Sequence, residues 1–305
     1  MRAPRALGAL ALLAACAAAP WLPGPWATLR WFALCIAPGA AALLLLHPAV
    51  LRDAARATAS VILASSVLAP LSYFALLRLL GRPDAALAIY GPAWGLLLSG
   101  AWLAHGGRGA AGAARSRTLA GIGLLGLVIA LPLLLNADLR VRSDAWTHIA
   151  LTRQVLSEPY PWTDPRFAGE PLRYFWFLNV WASGFAARGG TSIPWALALT
   201  NLAQAVAFVA ALRAAAGSLF SAAPLRRAAL AVALFGLNPL GLYGVTTHWL
   251  QGVVGATREA VPAAPLSRLR FADAEVIHAL TPYGTSFVAW IDKFVVVTAF
   301  GIAMT

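Results

Sequence analysis

A chain of 305 residues that is 60% hydrophobic and 11% charged cannot cover a water-facing surface of its own size, since a soluble domain carries about 25% charged residues. Its mean hydropathy of +0.74 calls for lipid around it, and the fold class it predicts is an all-α integral membrane protein, a polytopic helical bundle. The net charge of +12 comes almost wholly from arginine, Lys293 being the single lysine; scattered singly and in pairs between apolar runs, these arginines read as topology signals and interfacial anchors and exclude a nucleic-acid patch. Cys16 and Cys35 both lie inside apolar runs, which supports neither a disulfide framework nor a zinc site.

A helix needs about 20 apolar residues to cross the hydrocarbon core. Runs of that kind occupy about 6–22, 27–46, 58–80, 85–104 and 119–137, and after a polar gap about 193–213, 228–246 and 286–305. A shorter aromatic run, about 172–187, lies between the two sets, so the expected number of crossings is seven to nine. Residues 1–118 read as four N-terminal membrane spans and 119–305 as a membrane core with two polar loops, 138–171 and 247–285. The stretch Leu13-Ala14-Ala15-Cys16 also fits a lipoprotein signal, but with further spans following at once a first membrane helix is the preferred reading. No internal repeat is evident.

Arginine placement sets the expected orientation. Arg2 and Arg5 put the N-terminus in the cytoplasm, and Arg52 and Arg56, then Arg108, Arg115 and Arg117, fall on the same side by parity. The fifth run delivers 138–171 to the outer side. Arg78 and Arg82 sit outside against the rule, partly balanced by Asp84. Arg213, Arg226 and Arg227 face the cytoplasm only if the 172–187 segment stays on the outer side, as a re-entrant or interface-lying helix, and that arrangement is favoured. Heavy use of Ala, Gly and Arg with one Lys points to a GC-rich bacterial genome, and hence to the bacterial inner membrane.

Eight of the eleven acids fall in the two loops: Asp138, Asp144, Glu158, Asp164 and Glu170 in the first, Glu259, Asp273 and Glu275 in the second. Carboxylates gathered at one membrane surface suit acid–base chemistry or a divalent metal such as Mg or Mn; a solvated loop of mixed charge is the plainer alternative. In the first loop Ser143 is a plausible N-cap, which puts Asp144 in the first turn of a helix, one turn before His148. A carboxylate and an imidazole four residues apart share a helical face and can act as base and orienter, or the Asp merely caps and the His bonds it. The proline-punctuated stretch Glu158–Pro171 then fixes an acidic, aromatic turn, suited to holding a polar substrate. Trp146, Trp162 and Tyr174 can stack on sugar faces or anchor at headgroups.

The order of an apolar helix, a loop with an early Asp, a helix, a proline-rich acidic turn and then Pro171-Leu172-Arg173-Tyr174 opening an aromatic helix resembles the first outer loop of the membrane glycosyltransferases with the C-type fold. The branch it resembles holds the protein O-mannosyltransferase-like and aminoarabinose-transferase-like enzymes. Leu234-Phe235-Gly236-Leu237-Asn238-Pro239 is similar to the end of the helix before their second outer loop, and the resemblance covers about 138–250. It implies a polyprenyl-phosphate-linked sugar donor, an acceptor of unknown kind (glycan, lipid or protein), and Asp144 as catalytic base; by its spacing His148 is a candidate either to orient Asp144 or to bind the phosphate. Arg140, Arg142 and Arg173 become candidates for the donor phosphate, as against simple interface anchors. Asp164, Glu170 and Tyr174 become candidates for the substrate, and Glu259, Asp273, Glu275 and His278 for the second loop. The chain departs from the branch in that its loop follows the fifth apolar run, so 1–118 would be an added module. It also stops at Thr305 inside an apolar run, so a continuation is expected.

Other polar residues sit in apolar context. Asp292 and Lys293 lie near the start of the last run, where they are either functional or interfacial. Asn179, Asn201 and Gln204 are expected to join helices by hydrogen bonds, and His248 is a loop histidine. The competing functions are a secondary transporter or lipid flippase, which calls for repeats and midplane charges, and a non-enzymatic assembly subunit.

Overall fold

The structure is a computed structural model that describes residues 2–22, 26–105, 113–135, 140–141, 145–165, 167, 169–172 and 177–235. These residues form ten α-helices in chain order: α1 (Arg2–Ala18), α2 (Ala27–Cys35), α3 (Ala37–Leu46), α4 (Ala54–Leu80), α5 (Pro83–His105), α6 (Ala113–Leu135), α7 (Ala145–Ser157), α8 (Phe177–Ala186), α9 (Ile193–Leu219) and α10 (Ala223–Phe235). The described residues contain no β-strand, only an isolated antiparallel bridge between Thr163 and Pro171. Five stretches are long and apolar enough to cross a membrane: Pro4–Trp21, Ala54–Leu80, Pro83–His105, Ser116–Leu135 and Ile193–Leu219. Of the expected run at 228–246 only 228–235 is described, as part of α10, and the run at 286–305 lies outside the described residues.

The second apolar run is not one helix. It breaks at Ile36, whose φ of −120° leaves the helical region, and restarts as α3 with Pro38 in its first turn. Proline has no N–H to give and its ring crowds the carbonyl four residues back, so a helix stops before it and starts again with it. Elsewhere the termini follow local chemistry. Asp53 caps α4 by accepting the Arg56 N–H at 2.7 Å. Gly81 ends the same helix in the left-handed conformation (φ 66°), with its N–H donating to the Leu77 carbonyl at 2.8 Å, and Pro83 opens α5.

Small residues let the helices meet closely, as packing between apolar helices requires. α1 and α5 run antiparallel: Ser99 donates to the Ala9 carbonyl at 2.8 Å, and Gly91 and Gly95 sit against Cys16. Cys16 is therefore a buried packing residue of α1. Gly39 of α3 lies on the backbone of Val61 in α4, its N–H donating to Ser65 Oγ at 2.8 Å, and a side chain there would collide with the Val61 carbonyl. α6 and α9 are antiparallel too, with Gly126 against Val206 midway and Arg213 reaching Thr118 Oγ1 at 3.4 Å near one end.

These contacts sort the helix termini into two ends. One end, here the loop end, gathers the end of α1, the start of α2, the α4–α5 turn, the described residues between 140 and 172, the C-terminus of α8 and the start of α9. The far end holds Arg5, Arg52, Arg56, Arg117, Arg213, Arg226 and Arg227, with Arg56 Nη2 donating to Ser218 Oγ at 3.1 Å. α8 has ten residues, about 15 Å of rise where a bilayer core needs about 30 Å. The chain stands at the loop end before α8, where Leu172 bonds Trp162, and again after it, where Arg188 bonds the Asp84 carbonyl. α9 then runs the full length to the far end.

Candidate functional site at the loop end

α7 turns one face inward: Ala145, His148, Leu151, Thr152 and Val155 are buried at helical spacing. His148 and Thr152, one turn apart, both meet Asn179 of α8. The Asn179 Oδ1 lies 3.2 Å from His148 Nδ1 and accepts the Thr152 hydroxyl at 3.2 Å. All three residues are at most 1% exposed. With the amide oxygen accepting from both sides, the imidazole is assigned a proton on Nδ1. Asn179 thus joins two helices as expected, whereas Gln204 of α9, also buried, has neither amide atom bonded to a described residue.

After α7 the chain makes a turn closed by the Thr163–Pro171 bridge. The Asp164 N–H donates to the Glu170 carbonyl at 2.8 Å and the Leu172 N–H to the Trp162 carbonyl at 2.9 Å, with Gly169 at φ 85°. The Tyr160–Pro161 peptide is cis. Gln154 Nε2 ties α7 to the turn through Thr163 Oγ1 at 2.6 Å and Glu158 Oε2 at 3.0 Å. The turn docks on α4 through Phe74, Tyr160 and Trp162, whose ring centroids lie 5.2–5.7 Å apart, and the Arg78 guanidinium stacks on Tyr160 at 4.4 Å. Arg78, which the expected orientation puts outside against the charge rule, has this ring as a partner.

The expected site residues fare differently. His148 is a buried, hydrogen-bonded residue. Asp164 is buried and Glu170 exposed, and their backbones close the turn. Arg140 donates through Nη1 to the Leu133 and Leu134 carbonyls at 3.2 and 2.9 Å, capping α6, and stacks on Trp195 at 4.4 Å. Burial pushes its guanidinium below the usual arginine range. Trp162 does not offer its face to a sugar: it is 3% exposed against Phe74, and its Nε1 donates to the Glu158 carbonyl. Trp146 is 64% exposed. Asp144, Arg142, Arg173 and Tyr174 lie outside the described residues, as do Glu259, Asp273, Glu275 and His278. Among the described residues no three His, Cys, Asp or Glu side chains gather as a metal-binding group.

The sequence reading missed Arg30, one charge inside the second apolar run. It is 1% exposed and donates to four carbonyls: Phe185 and Ala187 at the end of α8, and Pro20 and Leu22 at the end of α1. A guanidinium at two helix C-termini satisfies carbonyls that have no partner in their own helix. No family model matches the chain, and neither does any curated protein or solved structure.

Proposed function

We propose that the chain is a polyprenyl-phosphate-sugar-dependent glycosyltransferase working at the loop end, in the outer face of a bacterial cytoplasmic membrane with the N-terminus inside. The observation that carries this reading is the buried His148–Asn179–Thr152 contact at the head of α7. It anchors the segment that Asp144 leads into, and a helix that merely floated on the headgroups would have no use for a buried polar junction. The turn that follows returns Pro171-Leu172, part of the motif that resembles the C-type enzymes, to Trp162-Thr163 beside the end of α7, which supports the reading.

In this mechanism Asp144 accepts the proton of the acceptor hydroxyl as its oxygen bonds to the anomeric carbon, and the lipid phosphate leaves with the electron pair of the broken bond. A carboxylate with an ordinary pKa of about 3.9 is a weak base, so proton transfer to Asp144 comes late, once the anomeric carbon is already electrophilic. Arg142 and Arg173 are the arginines proposed for the leaving phosphate. An Asp144→Asn variant that inserts normally should lose about 100-fold or more of its transfer from a labelled polyprenyl-phosphate sugar. Transfer at the parent rate would remove Asp144 as the base.

A further inference from the structure

Three arginines at the loop end share one arrangement. Arg78 lies over Tyr160 at 4.4 Å, Arg140 over Trp195 at 4.4 Å, and Arg188 over Trp21 at 3.9 Å. The three rings are 38–60% exposed, so the pairs stand at the surface of the bundle. None of the three arginines forms an ion pair with a described carboxylate. Arg140 and Arg188 each commit Nη1 to carbonyl oxygens, and Arg78 has no such bond to a described residue. A guanidinium stacked on a ring is held flat while the donors on its edge still point outward.

None of these three guanidinium groups is neutralised by a described carboxylate, on the side that the expected orientation leaves poor in arginine. We propose that these three pairs form a binding surface for the phosphates of anionic phospholipids, each aromatic ring lying at headgroup depth and each guanidinium fork taking a phosphate. The pairs sit on different helices: α4 with the turn after α7, the end of α6 with α9, and the residues after α8 with the end of α1. Separated cations suit several lipid headgroups around a perimeter, where a single sugar-donor phosphate would need them to converge. The surface is independent of the transfer chemistry proposed for Asp144.

The test is native mass spectrometry of lipids retained by the full chain from nanodiscs of mixed phosphatidylcholine and phosphatidylglycerol. The parent chain should retain phosphatidylglycerol selectively. An Arg78→Gln, Arg140→Gln, Arg188→Gln triple variant should lose about fivefold in selectivity for each arginine removed. A triple Arg→Lys variant, which keeps the charge and spares folding, should lose about two- to threefold, because lysine neither stacks flat nor forks. Arg153→Gln, an exposed arginine at the same end, should change nothing. Parent-like selectivity in either triple variant overturns the proposal. So does a parent chain that retains polyprenyl phosphate from doped phosphatidylcholine discs but shows no preference for phosphatidylglycerol.

Discussion

The two ends of the bundle use arginine in opposite ways. At the far end Arg52, Arg56, Arg117, Arg213, Arg226 and Arg227 are exposed, with hydrogen bonds no stronger than those of Arg56 to Ser218 and Arg213 to Thr118. At the loop end Arg30 is buried among four carbonyls, and Arg78, Arg140 and Arg188 lie on aromatic rings. The same side chain is exposed at the far end and, at these four positions of the loop end, held by carbonyls or rings. What differs is the supply of partners. The loop end collects helix C-termini and aromatic residues, whereas the far end offers mainly water and headgroups.

The strongest way to break this comparison is Arg30→Met, which keeps much of the volume and strands the carbonyls of Pro20, Leu22, Phe185 and Ala187. Unsatisfied buried acceptors cost about 1–3 kcal/mol apiece, so the loss should reach about 3 kcal/mol or more, read as a fall in the unfolding midpoint in mixed micelles. Asn179→Leu comes next. It leaves His148 and Thr152 without their shared oxygen and should cost about 1–3 kcal/mol by the same measurement. Tyr160→Leu removes both the ring contacts to Phe74 and Trp162 and the seat of Arg78, an effect of about 1–2 kcal/mol, and should speed proteolysis of the 158–172 turn. At the far end, Arg226→Gln with Arg227→Gln should move stability by no more than about 0.5 kcal/mol. Their effect should appear instead as a mixed orientation, scored by the labelling of cysteines placed at each end. A stability loss there as large as that at Arg30 would erase the contrast.

Much of the helical layout can be read from the residues. The long apolar runs at 58–80, 85–104, 119–137 and 193–213 correspond to α4, α5, α6 and α9, because length and composition alone suffice for a helix in lipid. The stop at Gly81 and restart at Pro83 are local chemistry, as is the Asp53 cap. The candidate site was legible only in part. His148 stands out by its spacing, but its bond to Asn179 crosses 31 residues of chain. Trp162 and Trp146 look alike in sequence, and nothing local shows that one is buried on Phe74 while the other is exposed.

The sequence by itself determined that the chain is helical and apolar, where most of its helices start and stop, and which arginines cluster beside which runs. Those properties depend on residues a few positions apart. Only the tertiary structure decided that 27–46 is two helices wrapped against α4 and α5, that Arg30 fastens α1 to α8, and that Arg78 belongs beneath a turn some 80 residues later. The physical reason is that an unpaired donor in an apolar setting must find acceptors wherever the fold brings them, and those partners are set by packing, not by neighbours along the chain.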